Sequence, residues 1–147
     1  MSEHYFSATP GGPERRRLIT ANLWGRQVSL ITAAGVFSPD DLDRGTAILL
    51  RESPVPDGDV RLLDLGCGYG PIAIALALHC PAAAIDAVDV NERALSLCRE
   101  NAAALGVAGR VNASFPDQVD PEAQYDEIWS NPPIRIGKDA LHELLRA

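Results

Sequence analysis

Val60-Arg61-Leu62-Leu63-Asp64-Leu65-Gly66-Cys67-Gly68-Tyr69-Gly70-Pro71 is the stretch that decides the fold. Val60 to Leu65 is an apolar run of strand length, and it stops at a glycine-rich turn. Pro71 to His79 follows, almost wholly apolar, with a proline in the first turn where its missing N–H is harmless. A strand, a tight turn and a buried helix make the opening unit of a parallel α/β sheet.

Downstream the alternation continues. Ala84 to Val90 reads as a second strand and Asn91 to Leu105 as a helix, with Asn91 as N-cap, Glu92 in the first turn and Gly106 after the last. Arg110 to Ala113 and Tyr125 to Ser130 give two more strands, and Lys138 to Arg146 a further helix. Upstream, Asp40 to Glu52 reads as a helix stopped by Pro54, Pro56, Asp57 and Gly58, and Gly35 to Pro39 as a turn. Leu18 to Leu30 carries a mixed signal for one or two strands or a short helix, and residues 1–13 read as extended or disordered. The expectation is an arm and lead-in over 1–34 and an α/β domain over 35–147, with a Rossmann-like parallel sheet covered by helices on both faces.

Composition narrows the function. At 147 residues, 46% hydrophobic, the chain suits one globular domain, and its net charge of −7 argues against a broad basic surface for nucleic acid. Glu14-Arg15-Arg16-Arg17 is the one local basic cluster, to be read either as a substrate patch or as a solvated arm. Cys67, Cys80 and Cys98 form no CxxC pair, and the start is not signal-like, so reduced thiols and a cytoplasmic location are expected. The longest apolar stretch, Pro71 to Leu78, falls far short of the roughly 20 residues that cross a bilayer. His4, His79 and His142 make no short-range ligand pair, so neither a metal nor a membrane is expected. No G-x-S-x-G elbow supports a hydrolase.

Ligands of parallel sheets bind beyond the carboxyl ends of the strands. Three motifs fall there: Gly66–Gly70, Asp89 with Asn91, and Asn131-Pro132-Pro133-Ile134. Gly66, Gly68 and Gly70 let the backbone approach a ligand closely, but Pro71 stands where a dinucleotide fingerprint needs its third glycine. Asp64 beside the loop would repel a pyrophosphate and suits the cationic amino-acid and sulfonium end of S-adenosylmethionine. Asp89, closing the second strand, is placed to accept from ribose hydroxyls. Cys67 reads as a small filler of the loop rather than a nucleophile, and Asn91 as a cap that can also touch the ligand. Asn112 to Ser114 is the expected adenine side.

An exocyclic amine or carboxamide is a poor nucleophile because its lone pair is delocalised. Two rigid acceptors can bind both N–H groups and turn the lone pair towards a methyl group. Asn131 offers its side-chain oxygen and Pro132 its carbonyl, while Pro132 and Pro133 restrict the backbone. Ile134 offers an apolar face. Arg135 and Lys138 are equally readable as phosphate contacts or as solvated charges.

These motifs resemble those of the class I S-adenosylmethionine-dependent methyltransferases of the small methyltransferase domain group. The chain is most similar there to the 16S ribosomal RNA guanine-N2 methyltransferases. The likeness runs through Gly35-Val36-Phe37-Ser38, Leu42-Asp43-Arg44-Gly45-Thr46, Asp64-Leu65-Gly66-Cys67-Gly68-Tyr69-Gly70, Val88-Asp89-Val90-Asn91 and Ser130-Asn131-Pro132-Pro133. It implies cofactor contacts by Asp64, Gly66, Gly68 and Asp89, amine recognition by Asn131 and Pro132, Phe37 and Thr46 lining the cofactor pocket, and a ribosomal RNA substrate. The chain departs from the family at Ile134, where an aromatic residue is usual, and in its strand count, since the family's sheet is larger than the four strands read here. A missing C-terminal segment or a partner chain is therefore expected to complete the sheet. The competing readings are methylation of a protein glutamine or another planar amide, and a non-catalytic cofactor-binding fragment.

Overall fold

Within 16–33 the apolar residues alternate, and the chain folds there as a hairpin: β1 (Arg16–Leu23) pairs antiparallel with β2 (Arg26–Ala33). The computed structural model describes residues 16–33 and 44–130. Ile19, Ala21 and Leu23 of β1 and Val28, Leu30 and Ala33 of β2 are buried in the main core. The two-residue turn is Trp24-Gly25, with φ of 53° and 85°. Positive φ at both positions makes a type I′ turn, which favours Asn-Gly. Trp24 holds this left-handed conformation at a cost of about 1–2 kcal/mol.

The second sheet is parallel, in the order β5-β4-β3-β6. Its strands are β3 (Arg61–Leu65), β4 (Ala84–Val88), β5 (Val111–Ser114) and β6 (Glu127–Ser130). Among the described residues three helices accompany it: α1 (Arg44–Glu52), α2 (Pro71–His79) and α3 (Glu92–Ala104). α2 is apolar all round because it is enclosed all round, with Pro71 to Ala77 buried. Its end is closed by Arg110, which donates from Nη1 to the carbonyls of Cys80 (3.1 Å) and Ala83 (3.3 Å) and from Nη2 to that of Ala77 (2.8 Å). Asn91 caps α3, accepting from Ala94 N–H at 3.2 Å.

Strands β3, β4 and β5 step across the sheet in one direction, so right-handed crossovers put α2 and α3 on one face. Leu62, Asp64, Ile85, Ala87, Val111 and Ala113 point to that face and are buried. The opposite face carries the 115–126 connection, which crosses back from β5 to β6 through a short 3₁₀ turn, Pro116–Gln118. Asp86 of β4, 9% exposed, lies on this side. It accepts from Tyr125 OH (2.6 Å), Arg61 Nη2 (3.1 Å) and Asn112 Nδ2 (3.4 Å), and the Arg61 guanidinium lies 5.3 Å from the Tyr125 ring centre. Burial, then the Asp86 bond, pushes the Tyr125 phenol well above its usual range, so it stays a donor.

Asn101 joins the hairpin to the rest. Its Oδ1 accepts from Ile31 N (2.8 Å), and its Nδ2 donates to the carbonyls of Ile31 (2.9 Å) and Tyr69 (3.0 Å). A side-chain amide thus completes an edge of β2 and touches the glycine loop at once. The Gly35–Pro39 turn, the start of the Asp40–Glu52 helix, the Asn131–Ile134 motif and the 138–146 helix lie outside the described residues.

Candidate cofactor and transfer site

Four strands end at one level. Leu65 is in register with Val88 and Ser130, and Val88 with Ser114. The residues that follow three of them, Gly66, Asp89 and Phe115, therefore leave the sheet along a common edge, and β6 ends beside them at Ser130. That register brings the glycine loop and Asp89, about twenty positions apart in sequence, to one rim.

The glycine loop is held by backbone and carboxylate. Gly66 N and Cys67 N both donate to Val88 O, at 2.8 and 2.9 Å. Gly68 N donates to Asp89 Oδ2 (2.8 Å), and Asn91 N to Asp89 Oδ1 (2.9 Å). Asp89 thus shapes the loop from the next strand, a contact across 21 positions that no local pattern encodes. Each of its oxygens keeps a lone pair for another donor. Gly68 has φ +58, and a Cβ built there meets nothing within 4 Å, which leaves open space along the loop. Gly70 is different: φ is +101 and a Cβ would stand 2.7 Å from Cys98 Sγ. Close packing of loop on α3 requires glycine there.

Asp64 is the most unusual group in the site. It is 1% exposed, and its Oδ2 accepts from Ala73 N (3.0 Å) in the first turn of α2. Its Oδ1 is buried with no hydrogen-bond partner. Burial raises its pKa from 3.8 to about 7, partly opposed by the Ala73 bond, with repulsion from Asp89 adding to the rise. A buried carboxylate oxygen without a partner is suited to a cation or a hydrogen-bond donor.

Cys67 is buried, and its Sγ donates weakly to Gly68 O at 3.5 Å. The neighbouring Cys98 thiol, then burial, push its pKa well up. It is a protonated filler with no nucleophilic character. Thr46 is buried on α1. Phe37 and Asn131, Pro132, Pro133 and Ile134 lie outside the described residues. On the expected adenine side, exposed Asn112 is engaged by Asp86, whereas Ser114, 7% exposed, has a hydroxyl with no partner. Beside β6, an open groove of about 490 Å³ is lined by Leu49, Ser53, Glu127, Ile128, Trp129 and Ser130.

Of the Glu14–Arg17 cluster, Arg16 and Arg17 lie within the described residues, and Arg16 is tied to the body of the molecule. Its guanidinium makes a bidentate pair with Glu100 of α3, at 2.7 and 2.6 Å. Sequence reasoning also passed over Trp24 and the Asp86 cluster. The signal for Asp86 was available, since a carboxylate in the middle of an apolar strand must find partners. Among the described residues, no group of His, Cys, Asp or Glu could hold a metal ion, and no helix is long and apolar enough to cross a membrane.

Residues 27–147 match the family described as "Methyltransferase small domain". The chain is 34% identical over 98% of its length to YbxB of Bacillus subtilis (strain 168), covering 73% of that protein. It is 37% identical over 80% of its length to "Ribosomal RNA small subunit methyltransferase C" of Shewanella loihica, covering 34% of it. Among solved structures, the T. thermophilus 16S rRNA N2 G1207 methyltransferase in complex with AdoMet and guanosine superposes with a TM-score of 0.73 and 26% identity, over 85% of this chain and 35% of that one. The chain thus spans about a third of the length of these ribosomal RNA methyltransferases.

Proposed function

From the premise that the chain belongs to the methyltransferase small domain family, we propose that it is an S-adenosylmethionine-dependent methyltransferase acting on the exocyclic amine of guanine in ribosomal RNA. The observation that carries the cofactor half is Asp64, a fully buried carboxylate with one oxygen unpartnered beside an open glycine loop. When bound, S-adenosylmethionine supplies a methyl group on a positively charged sulfur, a good leaving group. Asp64 holds the cationic amino-acid end. Gly66, Cys67, Gly68 and Gly70 give a backbone cradle that a larger loop would fill. Asp89 accepts from the ribose hydroxyls with its spare lone pairs, with Asn91 alongside it. The unpartnered Ser114 hydroxyl receives the adenine edge, and Phe37 and Thr46 line the pocket.

On the acceptor side, the Asn131 side-chain oxygen and the Pro132 carbonyl receive the two N–H groups of the amine. Pro133 keeps the pair rigid, and Ile134 supplies an apolar surface for the base. With the donor bound, these residues would hold the amine nitrogen for the methyl group that the sulfonium would supply, and the proton shed by the nitrogen would pass to water. Most of the rate enhancement is then positioning and fixed electrostatics. The ribosomal RNA relatives in two comparisons support this substrate. Transfer of labelled methyl from the cofactor to small-subunit ribosomal RNA, lost in Asn131→Ala, is the expected result. No label in any RNA refutes the substrate assignment.

Two observations favour a second substrate class. A net charge of −7 and an apolar Ile134 in place of an aromatic residue favour it over a polyanionic RNA. The same two acceptors fit a protein glutamine amide, and label found in protein rather than RNA selects that reading.

A further inference from the structure

We propose that Trp24 is a positioning residue for methyl transfer: through its ring contact with Trp129 it fixes the end of β6 from which Asn131 follows. The inference rests on the reading that Asn131 and Pro132 receive the substrate amine. It starts from a misfit. A type I′ turn favours Asn or Gly at the first position, yet a bulky indole occupies it with φ 53°. Strain of this kind persists only where the surroundings enforce it, and it points to a role.

The surroundings are specific. The Trp24 ring meets Trp129 edge-on, with centroids 5.7 Å apart and planes at 86°. It meets His79 at the end of α2 in the same way, at 5.6 Å and 89°. His79 Nε2 in turn donates to Leu23 O at 2.8 Å, which fixes the turn against α2. The indole Nε1 donates to Leu50 O at 2.7 Å, a carbonyl in the last turn of α1 that otherwise has only a long contact from Ser53 N (3.4 Å). One side chain therefore ties the hairpin, α1, α2 and β6 together. Of these, β6 has the greatest need, because among the described strands it pairs only with β3. Trp129 is 7% exposed, lies in register with Asp64, and precedes Asn131 by two residues. The clamp thus acts where the cofactor strand and the acceptor strand run side by side.

The test uses the full chain and the variants Trp24→Asn, Trp24→Phe and Trp129→Phe. Asn suits the left-handed turn, so W24N removes the clamp while keeping the hairpin. Hydrogen exchange at Ile128, Trp129 and Ser130 is expected to rise on the order of tenfold or more in W24N, with Val111 to Ser114 unchanged. Calorimetry with S-adenosylhomocysteine should give wild-type affinity. With labelled cofactor and small-subunit ribosomal RNA, kcat should fall on the order of 10²-fold with little change in KM. W24F, which keeps an aromatic ring against Trp129 but loses the bond to Leu50, should recover part of both losses, and W129F should loosen the same amides. The chain has two tryptophans, so wild type should also show an exciton couplet in circular dichroism that W24N and W129F abolish. Wild-type exchange in β6 of W24N, or an unchanged kcat, overturns the inference. Absence of methyl transfer by the wild-type chain overturns the substrate reading instead, and exchange and dichroism still decide whether the clamp exists.

Discussion

Replacing Asp64 by Asn should change how stability depends on pH, with a sign opposite to that of an ordinary carboxylate. In the folded chain the Asp64 pKa is about 7, against 3.8 when exposed, and burial is the main cause. Below pH 3.8 both states hold the proton and Asp64 adds no pH dependence. Between 3.8 and 7 the unfolded chain releases its proton while the folded chain keeps it, so stability falls as pH rises. Above 7 the folded group ionises too, and the loss levels off at about 4 kcal/mol, an upper bound because a buried site relaxes around charge. The Asp64→Asn side chain keeps an oxygen for Ala73 N–H but puts amide hydrogens near the place of Oδ1; that penalty is independent of pH and leaves the slope untouched. Urea denaturation of both proteins from pH 4.5 to 8.5 measures the effect, since other titrating groups cancel in the difference. Wild-type stability minus that of Asp64→Asn should fall by a few kcal/mol across the range. The affinity of the wild type for S-adenosylhomocysteine, whose amino group is a cation, should rise with pH up to about 7. A flat stability difference would show that Asp64 is solvated or already paired, and the argument for a cation site would go with it.

Three further outcomes follow from packing. Asn101→Ala strands the amide and carbonyl of Ile31 and the carbonyl of Tyr69, and should cost about 2–4 kcal/mol in chemical denaturation. Gly70→Ala combines a forbidden φ with a 2.7 Å contact on Cys98, and should lower the melting temperature and weaken S-adenosylhomocysteine binding together in calorimetry. Arg16→Ala removes a pair whose side chains are 42% and 39% exposed, and should change stability by less than about 1 kcal/mol, with the difference shrinking further in high salt.

Local chemistry made much of the fold readable. Pro71 marks the start of α2, Asn91 caps α3, and the run from Leu62 to Leu65 into glycine gives β3 and its loop. What stayed hidden depends on partners distant in sequence. The hairpin was ambiguous because Trp24 occupies a turn position where Asn is the usual sign, although Ile19, Ala21 and Leu23 already alternated. Asp89 was legible as a strand-end acid, but its grip on Gly68 N exists only once β4 lies beside β3. The contact of Asn112 with Asp86 exists only once β5 lies beside β4. The pairing of Arg16 with Glu100 likewise exists only once the hairpin lies beside α3. The lone oxygen of Asp64 is a property of the assembled core, which sequence patterns do not carry.

The strand order also separates two capacities within the molecule. The glycine loop springs from β3, flanked on both sides, and its shaping carboxylate from β4, flanked likewise, whereas β6 stands at the border of the described strands. Substitutions along β6 can therefore accumulate at the periphery of the described sheet while the glycine loop and the carboxylate that shapes it stay intact at the centre. Such a layout lets descendants inherit the central turn unchanged while their borders diverge.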